Sequence, residues 1–302
     1  MPDNDVVHAA HQDAIIQQLI TYMQSDANVR VIELNGSRAN PNAPKDFLRD
    51  YDVCCFVKDI EAARQRYQPD WGWMAAFGKL VICQQNDAES DDSAWFVFLM
   101  QFDDSLRIDL SFDSLDNLTE NGSGDSLSVI LYDPDRMVRN QKPPDESDYF
   151  VKKPTQQQWD ETLNELWWIQ VCIAKSLWRD ELPLAMVQYH EYLIDPLHDL
   201  LSWYIAIQHE WRINTGKGGK WFKRLLEGAL YDTLMGLYPS AAPDDVWEKL
   251  LQVGGLIRRV GMPLAVKLHY EYPTGYDENV TAFLPRLRAL PVDAEGMSGA
   301  RK

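Results

Sequence analysis

Two aspartates separated by one residue, Asp50 and Asp52, are the first residues in this sequence that could do chemistry. They open a run at residues 50–57 whose β-branched and apolar side chains predict a buried strand. Because side chains alternate along a strand, we expect both carboxylates on the same face. Two carboxylates placed together repel each other, and a cation between them removes that penalty. The pair therefore predicts a Mg²⁺ site, since Mg²⁺ prefers carboxylate, water and phosphate oxygens.

A third carboxylate and a glycine–serine pair extend this interpretation. Asp109 lies in a predicted strand at residues 106–112, where it shares the polar face with Arg107. Three carboxylates are enough to hold two divalent ions. Gly36 and Ser37 follow a short predicted strand, and such a turn lets the backbone and a hydroxyl approach phosphate oxygens. The alternative is that Asp-x-Asp only marks a strand that enters solvent.

The elements that must position these residues fall into two parts of different character. A helix is predicted at residues 13–24, and strands are predicted at 29–34, 50–57, 79–83, 95–102 and 106–112. Four prolines among many charges at 133–155 indicate a linker. Beyond it the pattern is helical at 156–179, 183–209, 219–237, 243–260 and 262–270. We predict an α/β (α+β) protein with a mixed β-sheet domain at 1–140, a C-terminal α-helical bundle domain at 141–290 and a flexible tail at 291–302.

The charge distribution excludes one class of partner and favours another. The formal net charge is −17, and residues 1–150 alone carry 27 acidic and 12 basic side chains, a net −15. A nucleic-acid-binding surface has the opposite sign, so nucleic acid is not expected as a partner. An acidic half attracts metal ions or a polycationic substrate. The alternative is that these carboxylates only keep the protein soluble.

The sequence also carries expectations about location. It has neither the pattern of a signal peptide nor an apolar run of membrane-spanning length. Its four cysteines lack zinc-binding spacing and are expected to be reduced core residues. We therefore expect a cytoplasmic protein without a membrane partner.

Several sequence blocks, in the same order along the chain, resemble one enzyme family. Gly-Ser, then Asp-x-Asp, then an aspartate on a later strand resembles the polymerase-β-type nucleotidyltransferases. More narrowly, the chain is similar over about residues 13–285 to the bacterial aminoglycoside 6-adenylyltransferases that inactivate streptomycin; the blocks are LNGSRANPN, LRDYDVCCFV, FGK, LRIDLSF, YFVKKPT, NELWW and GKGGKWFKRLL. The resemblance implies a nucleotidyltransferase domain, Mg²⁺, and transfer of AMP from ATP to a hydroxyl of streptomycin with release of pyrophosphate.

The resemblance also implies roles for individual residues. Gly36 and Ser37 match the phosphate-holding turn, and Arg38 beside them is expected to reach the same oxygens. The residues that match the metal ligands and catalytic carboxylates are Asp50, Asp52 and Asp109. In related enzymes the position of Asp109 can also help to deprotonate the incoming hydroxyl, which is a very weak acid.

The helical part holds further candidates. The cations expected to hold the triphosphate are Lys175, Lys217 and Lys220. Lys217 and Lys220 lie in a basic, glycine-rich segment, and the alternative interpretation of this segment is a flexible interhelical loop. The residues expected to contact the antibiotic are Glu165, Trp168, Asp195 and Trp203. For the tryptophans the alternative is a place in the core.

Two other functions stay open on the sequence alone. The first is a nucleotidyltransferase of the same fold with a different acceptor, either another antibiotic or a protein hydroxyl. The second is a nucleotide-binding or drug-sequestering protein without turnover. For the active enzyme we expect a monomer or a weak homodimer.

Overall fold

A computed structural model describes residues 3–87 and 95–297 of the 302-residue chain. The chain separates into two compact units, Met1–Asp148 and Tyr149–Lys302. Residues 141–148 bond back to the first unit: Glu146 accepts a hydrogen bond from the Asn40 amide, and Asp148 accepts one from the backbone N–H of Ser126. At the C-terminus, residues 291–297 form turns, and residues 298–302 of the predicted tail lie outside the described residues.

The first unit is built on a mixed sheet, as predicted, and the sheet has six strands. Its strands are β1 (Val29–Asn35), β2 (Tyr51–Val57), β3 (Leu80–Asp87), β4 (Trp95–Phe102), β5 (Arg107–Ser114) and β6 (Ser128–Tyr132). Their order in the sheet is β3-β4-β5-β2-β1-β6. The strands β2 and β5 run parallel, whereas the other neighbouring pairs run antiparallel. The sequence pattern predicted no strand at the position of β6, which completes one edge.

Four helices accompany this sheet, namely α1 (Asp3–Gln12), α2 (Ala14–Met23), the short α3 (Gly36–Ala39) and α4 (Ile60–Tyr67). Alternating apolar side chains on the strands give the sheet a buried face, where Phe96 stacks on Phe112 and Leu19 of α2 joins the same core. Asp13 begins α2 as its N-cap, because its carboxylate accepts from the N–H groups of Ile15 and Ile16. This core holds the ends of β1, β2 and β5 in place.

The second unit is helical. Its helices are α5 (Gln156–Trp178), α6 (Leu182–Val187), α7 (Ile194–Ala206), α8 (Phe222–Leu225), α9 (Gly228–Met235), α10 (Pro243–Leu268) and α11 (Thr274–Arg288). A π-helical turn at Gln188–Leu193 joins α6 to α7. The core between these helices includes Trp159 and Trp167 of α5, both almost fully buried. The predicted fold class, a mixed-sheet half followed by helices, is confirmed.

The observed helices differ from the predicted ones at three places, each for a local reason. The predicted helix at 219–237 is broken at Leu226, whose backbone is extended. The predicted break before Pro263 does not occur, because buried residues on both sides keep α10 continuous and only one helical hydrogen bond is lost at the proline. The helix α11 was not predicted; its few apolar residues suffice because Leu284 and Leu287 are buried. No helix among the described residues is long and apolar enough to cross a membrane.

Candidate active site

Asp52 and Asp109 are direct neighbours on the two parallel strands. In the register of β2 and β5, Asp52 lies opposite Asp109, so both carboxylates emerge at the same level of the sheet. Asp50 immediately precedes β2, two residues before Asp52 and therefore on the same side of the chain. The structure thus brings together the three carboxylates that the sequence singled out.

The crowding of the cluster affects the pKa values of Asp50 and Asp52. Burial raises the pKa of Asp52 to about 6, and the negative charges of Asp109 and Asp50 contribute to the rise, while Arg107 and Arg38 oppose it. Burial also raises the pKa of Asp50, although here the nearby guanidinium of Arg107 lowers it. Crowded carboxylates with raised pKa values are the electrostatic condition that a divalent cation relieves.

Arg107, at the start of β5, is the closest cation to this cluster. Its Nε and Nη2 atoms donate to the two carboxylate oxygens of Asp109 over 3.0 and 2.9 Å. Its Nε also lies 3.5 Å from Oδ2 of Asp50. Sequence reasoning placed Arg107 on the same strand face as Asp109 but gave it no role; the signal was its spacing of two residues from a candidate ligand.

The donor set fits a divalent cation in its chemistry. Across residues 3–87 and 95–297, no group of three His, Cys, Asp or Glu side chains is already arranged to hold a metal ion. However, Asn35, the partner of Asp52 on β1, has a buried Oδ1 atom without a hydrogen-bond donor in the described structure. An unsatisfied oxygen beside crowded carboxylates is suited to a cation or to water bound to it. Sequence reasoning missed Asn35, although it directly precedes the glycine–serine turn.

The glycine–serine turn packs directly against Asp52. Gly36 has a φ of +68°, and a Cβ atom there would lie 2.4 Å from Oδ2 of Asp52. Its N–H donates to the carbonyl of Leu127 over 3.1 Å. Ser37 follows at the first turn of α3, partly exposed. The close approach that glycine permits therefore accommodates the Asp52 carboxylate.

Arg38 is engaged by the chain that leads into β2. Its guanidinium stacks on the ring of Tyr51, 3.5 Å from the ring centroid. It donates to the carbonyls of Asp50 and Arg49 over 3.2 and 2.9 Å, and it lies 3.5 Å from a carboxylate oxygen of Asp13. Arg38 therefore braces the residues before β2, and its contact with phosphate stays a prediction.

The second unit contains an acidic cavity of about 700 Å³. Asp195 and Asp199 lie one turn apart on α7 and line it together with Glu161 of α5. Surrounding protein atoms raise the pKa of Asp199, and the negative charge of Asp195 adds to that rise. Of the predicted antibiotic contacts, Asp195 and Trp203 line this cavity. Glu161 was not among the predicted site residues.

The remaining candidates lie elsewhere in the second unit. Trp168 is 63% exposed on α5, and neither it nor Glu165 lines the acidic cavity. Lys175 is exposed near the end of the same helix. Lys217 and Lys220 lie in the glycine-rich segment 216–220. The glycines of this segment line the cavity, whereas the two lysines do not. Their contacts with a triphosphate stay predictions.

Comparisons with known proteins agree with the resemblance noted in the sequence. A family model described as Streptomycin adenylyltransferase matches residues 10–287. An aminoglycoside 6-adenylyltransferase of Campylobacter jejuni is 30% identical over 271 residues, covering 89% of this chain and 92% of that protein. Another, of Bacillus subtilis (strain 168), is 29% identical over 269 residues, covering 87% and 93%.

A solved structure of an aminoglycoside 6-adenyltransferase from Bacillus subtilis has 24% identity and a TM-score of 0.46, covering 91% of this chain and 97% of that one. The family match spans nearly the whole chain, and it includes the carboxylate cluster and the glycine–serine turn. The family resemblance read from the sequence blocks is thereby confirmed. The chain belongs to the streptomycin adenylyltransferase family and is a nucleotidyltransferase.

Proposed function

We propose that this enzyme transfers AMP from ATP to a hydroxyl of streptomycin and thereby inactivates the antibiotic. Family membership implies ATP as the nucleotide and an aminoglycoside as the acceptor. The observation that carries the proposal is the pairing of Asp52 with Asp109 across β2 and β5, with Gly36 packed against Asp52.

In this proposal the first unit provides the groups that act on the triphosphate. Asp50, Asp52 and Asp109 would hold Mg²⁺, which supplies Lewis-acid stabilisation of phosphate charge when bound. Ser37 donates its hydroxyl to a phosphate oxygen. The acceptor oxygen forms a bond to the α-phosphorus while the bond to pyrophosphate breaks, and the hydroxyl proton passes to the carboxylate cluster. Asp109 is our candidate for accepting it.

The acidic cavity of the second unit would bind the acceptor. Asp195 and Asp199 offer two carboxylates one helical turn apart on α7, and Glu161 of α5 adds a third to the cavity lining. Guanidinium and ammonium groups of an aminoglycoside pair with such carboxylates. Trp203 lines the cavity as well and offers an apolar surface for a sugar ring. Glu165 and Trp168 stay candidates for weaker antibiotic contacts, and Lys175, Lys217 and Lys220 for contacts with the triphosphate.

The test is a pyrophosphate-release assay with ATP and Mg²⁺ over a panel of aminoglycosides, together with mass spectrometry of each acceptor. We expect streptomycin to gain one adenylyl group, and the Asp52→Asn variant to transfer none above background. Transfer to another acceptor only would replace streptomycin in the proposal. Tight ATP binding without pyrophosphate release would favour the drug-sequestering alternative.

We further propose that the enzyme acts in the cytoplasm, where ATP and Mg²⁺ are available, as a monomer or weak homodimer. Light scattering over a range of concentrations checks the oligomeric state. A stable larger assembly would contradict this part of the proposal.

A further inference from the structure

Arg107 stands where a positive charge is needed by the carboxylate cluster. It bonds both oxygens of Asp109 and lies 3.5 Å from Asp50, so one guanidinium is shared between two of the three carboxylates. The planar fork of arginine matches a carboxylate with two parallel hydrogen bonds. In this conformation Arg107 therefore offsets part of the negative charge of the cluster, which holds like charges at close range.

The contacts of Arg107 differ from those of the other arginine near the cluster. Arg38 is fixed by an aromatic ring, by backbone carbonyls and by Asp13, none of which is a carboxylate of the cluster. The side-chain partners of Arg107 within the described residues are the carboxylates themselves. The side chain of Arg107 is 41% exposed, whereas that of Asp109 is only 17% exposed. Arg107 is thus free to move toward solvent, while Asp109 is held by its strand.

We propose that Arg107 is an internal counter-ion that competes with the divalent cation for Asp109 and Asp50. An arginine does not lose its charge at any relevant pH, so it yields the carboxylates only by moving away. Binding of a divalent ion is therefore coupled to displacement of the guanidinium, which weakens the affinity for metal alone. The inference rests on the proposed function, because it takes Asp50, Asp52 and Asp109 as the metal ligands.

The experiment measures Mn²⁺ binding to the full chain in the absence of nucleotide, by electron paramagnetic resonance of the free ion. Removing the competing charge in Arg107→Met should tighten Mn²⁺ binding about fivefold, the size expected from an exposed ion pair. Arg107→Lys keeps the positive charge but lacks the planar fork of the guanidinium, so we expect a smaller gain in Mn²⁺ affinity. The matched control is Arg30→Met, which removes an arginine from β1 that pairs with Asp135 outside the cluster; its affinity should match the wild type.

A second measurement is the melting temperature, which, like Mn²⁺ binding, does not depend on catalytic activity. With EDTA present, Arg107→Met should melt at a lower temperature than the wild type, because its carboxylates lack their counter-ion. Mn²⁺ added in excess of the EDTA should then raise the melting temperature of this variant more than that of the wild type. A ligand that binds the folded state more tightly stabilises it more.

Two outcomes would overturn the inference, and they are distinguishable. If wild-type Mn²⁺ binding is not reduced by Asp52→Asn, the carboxylates are not the metal ligands, and the proposed metal site fails together with this inference. If Asp52→Asn does reduce binding but Arg107→Met leaves the affinity unchanged or weakens it, the metal site stands and Arg107 is not a competitor.

Discussion

The carboxylate of Asp52 occupies the space that a side chain at position 36 would need. Gly36 has a φ of +68°, and a Cβ atom built there would lie 2.4 Å from Oδ2 of Asp52. A carbon and an oxygen that are not bonded do not approach this closely, so a larger residue would displace the carboxylate of Asp52 from its present position. The glycine of the Gly-Ser motif thus leaves room for a proposed metal ligand.

We expect Gly36→Ala to lower kcat about a hundredfold, the scale of a misplacement near 1 Å in an active site. The matched control is Gly124→Ala, which also has a positive φ, +90°, but has no atom within 4 Å of the added Cβ. Both variants should lose about 1–2 kcal/mol of unfolding free energy from backbone strain. Steady-state kinetics and denaturant melts separate the two effects; equal activity losses in both variants would contradict the collision with Asp52.

Asp52→Asn should reduce adenylyl transfer by about a thousandfold, because loss of a central ligand forfeits several kcal/mol of metal-based stabilisation. The same variant should be more stable than the wild type at neutral pH in EDTA, since it removes a buried charge from a like-charged cluster. Kinetics and melts in EDTA provide the measurements. Retention of activity in the well-folded variant would contradict the assignment.

The raised pKa of Asp52 has a signed consequence for stability without metal. The folded state holds this proton up to about pH 6, whereas the unfolded chain releases it near the ordinary aspartate pKa of 3.8. The contribution of Asp52 to the free energy of unfolding is therefore fully present below pH 4 and is lost as the pH rises through about 6. This lowers the free energy of unfolding by about 2–3 kcal/mol. Urea melts in EDTA at several pH values, compared with Asp52→Asn, would measure it; parallel curves for the two proteins would contradict it.

The acidic cavity has its own test. Asp195→Asn and Asp199→Asn should each raise the KM for streptomycin about fivefold with little change in the KM for ATP, because each removes one pairing with a cationic group. High salt should reduce the difference in the KM for streptomycin between each of these variants and the wild type. Asp232→Asn, an exposed carboxylate on α9 that does not line the cavity, is the control. An equal rise in KM for all three variants would indicate a general charge effect.

The sequence was informative where a local pattern determines the structure. The spacing of Asp50 and Asp52, the alternation in β5 and the Gly36–Ser37 turn were each enough to predict neighbours on one face. The partnership of Asp109 with Arg107 depends on a rotamer, and the bracing of Arg38 by Tyr51 depends on tertiary packing, so neither could be read from spacing.

The same distinction holds for the second unit. Asp195 could be predicted as an acidic helix residue, but its grouping with Glu161 depends on how α5 packs against α7, which no local pattern specifies. The continuity of α10 through Pro263 likewise follows from burial on either side of the proline. Periodicity identifies helices, whereas packing decides where they end and which of their faces meet.

The parallel pairing of β2 with β5 has a consequence for the order of events during synthesis. Parallel neighbours require a crossover, and here the chain makes α4, β3 and β4 before β5 returns to lie beside β2. A nascent chain that ends before β5 therefore holds Asp50 and Asp52 without Asp109, and it has only part of the carboxylate cluster. The carboxylate cluster is therefore completed only after β5 has been synthesised and has paired with β2 across the intervening α4, β3 and β4.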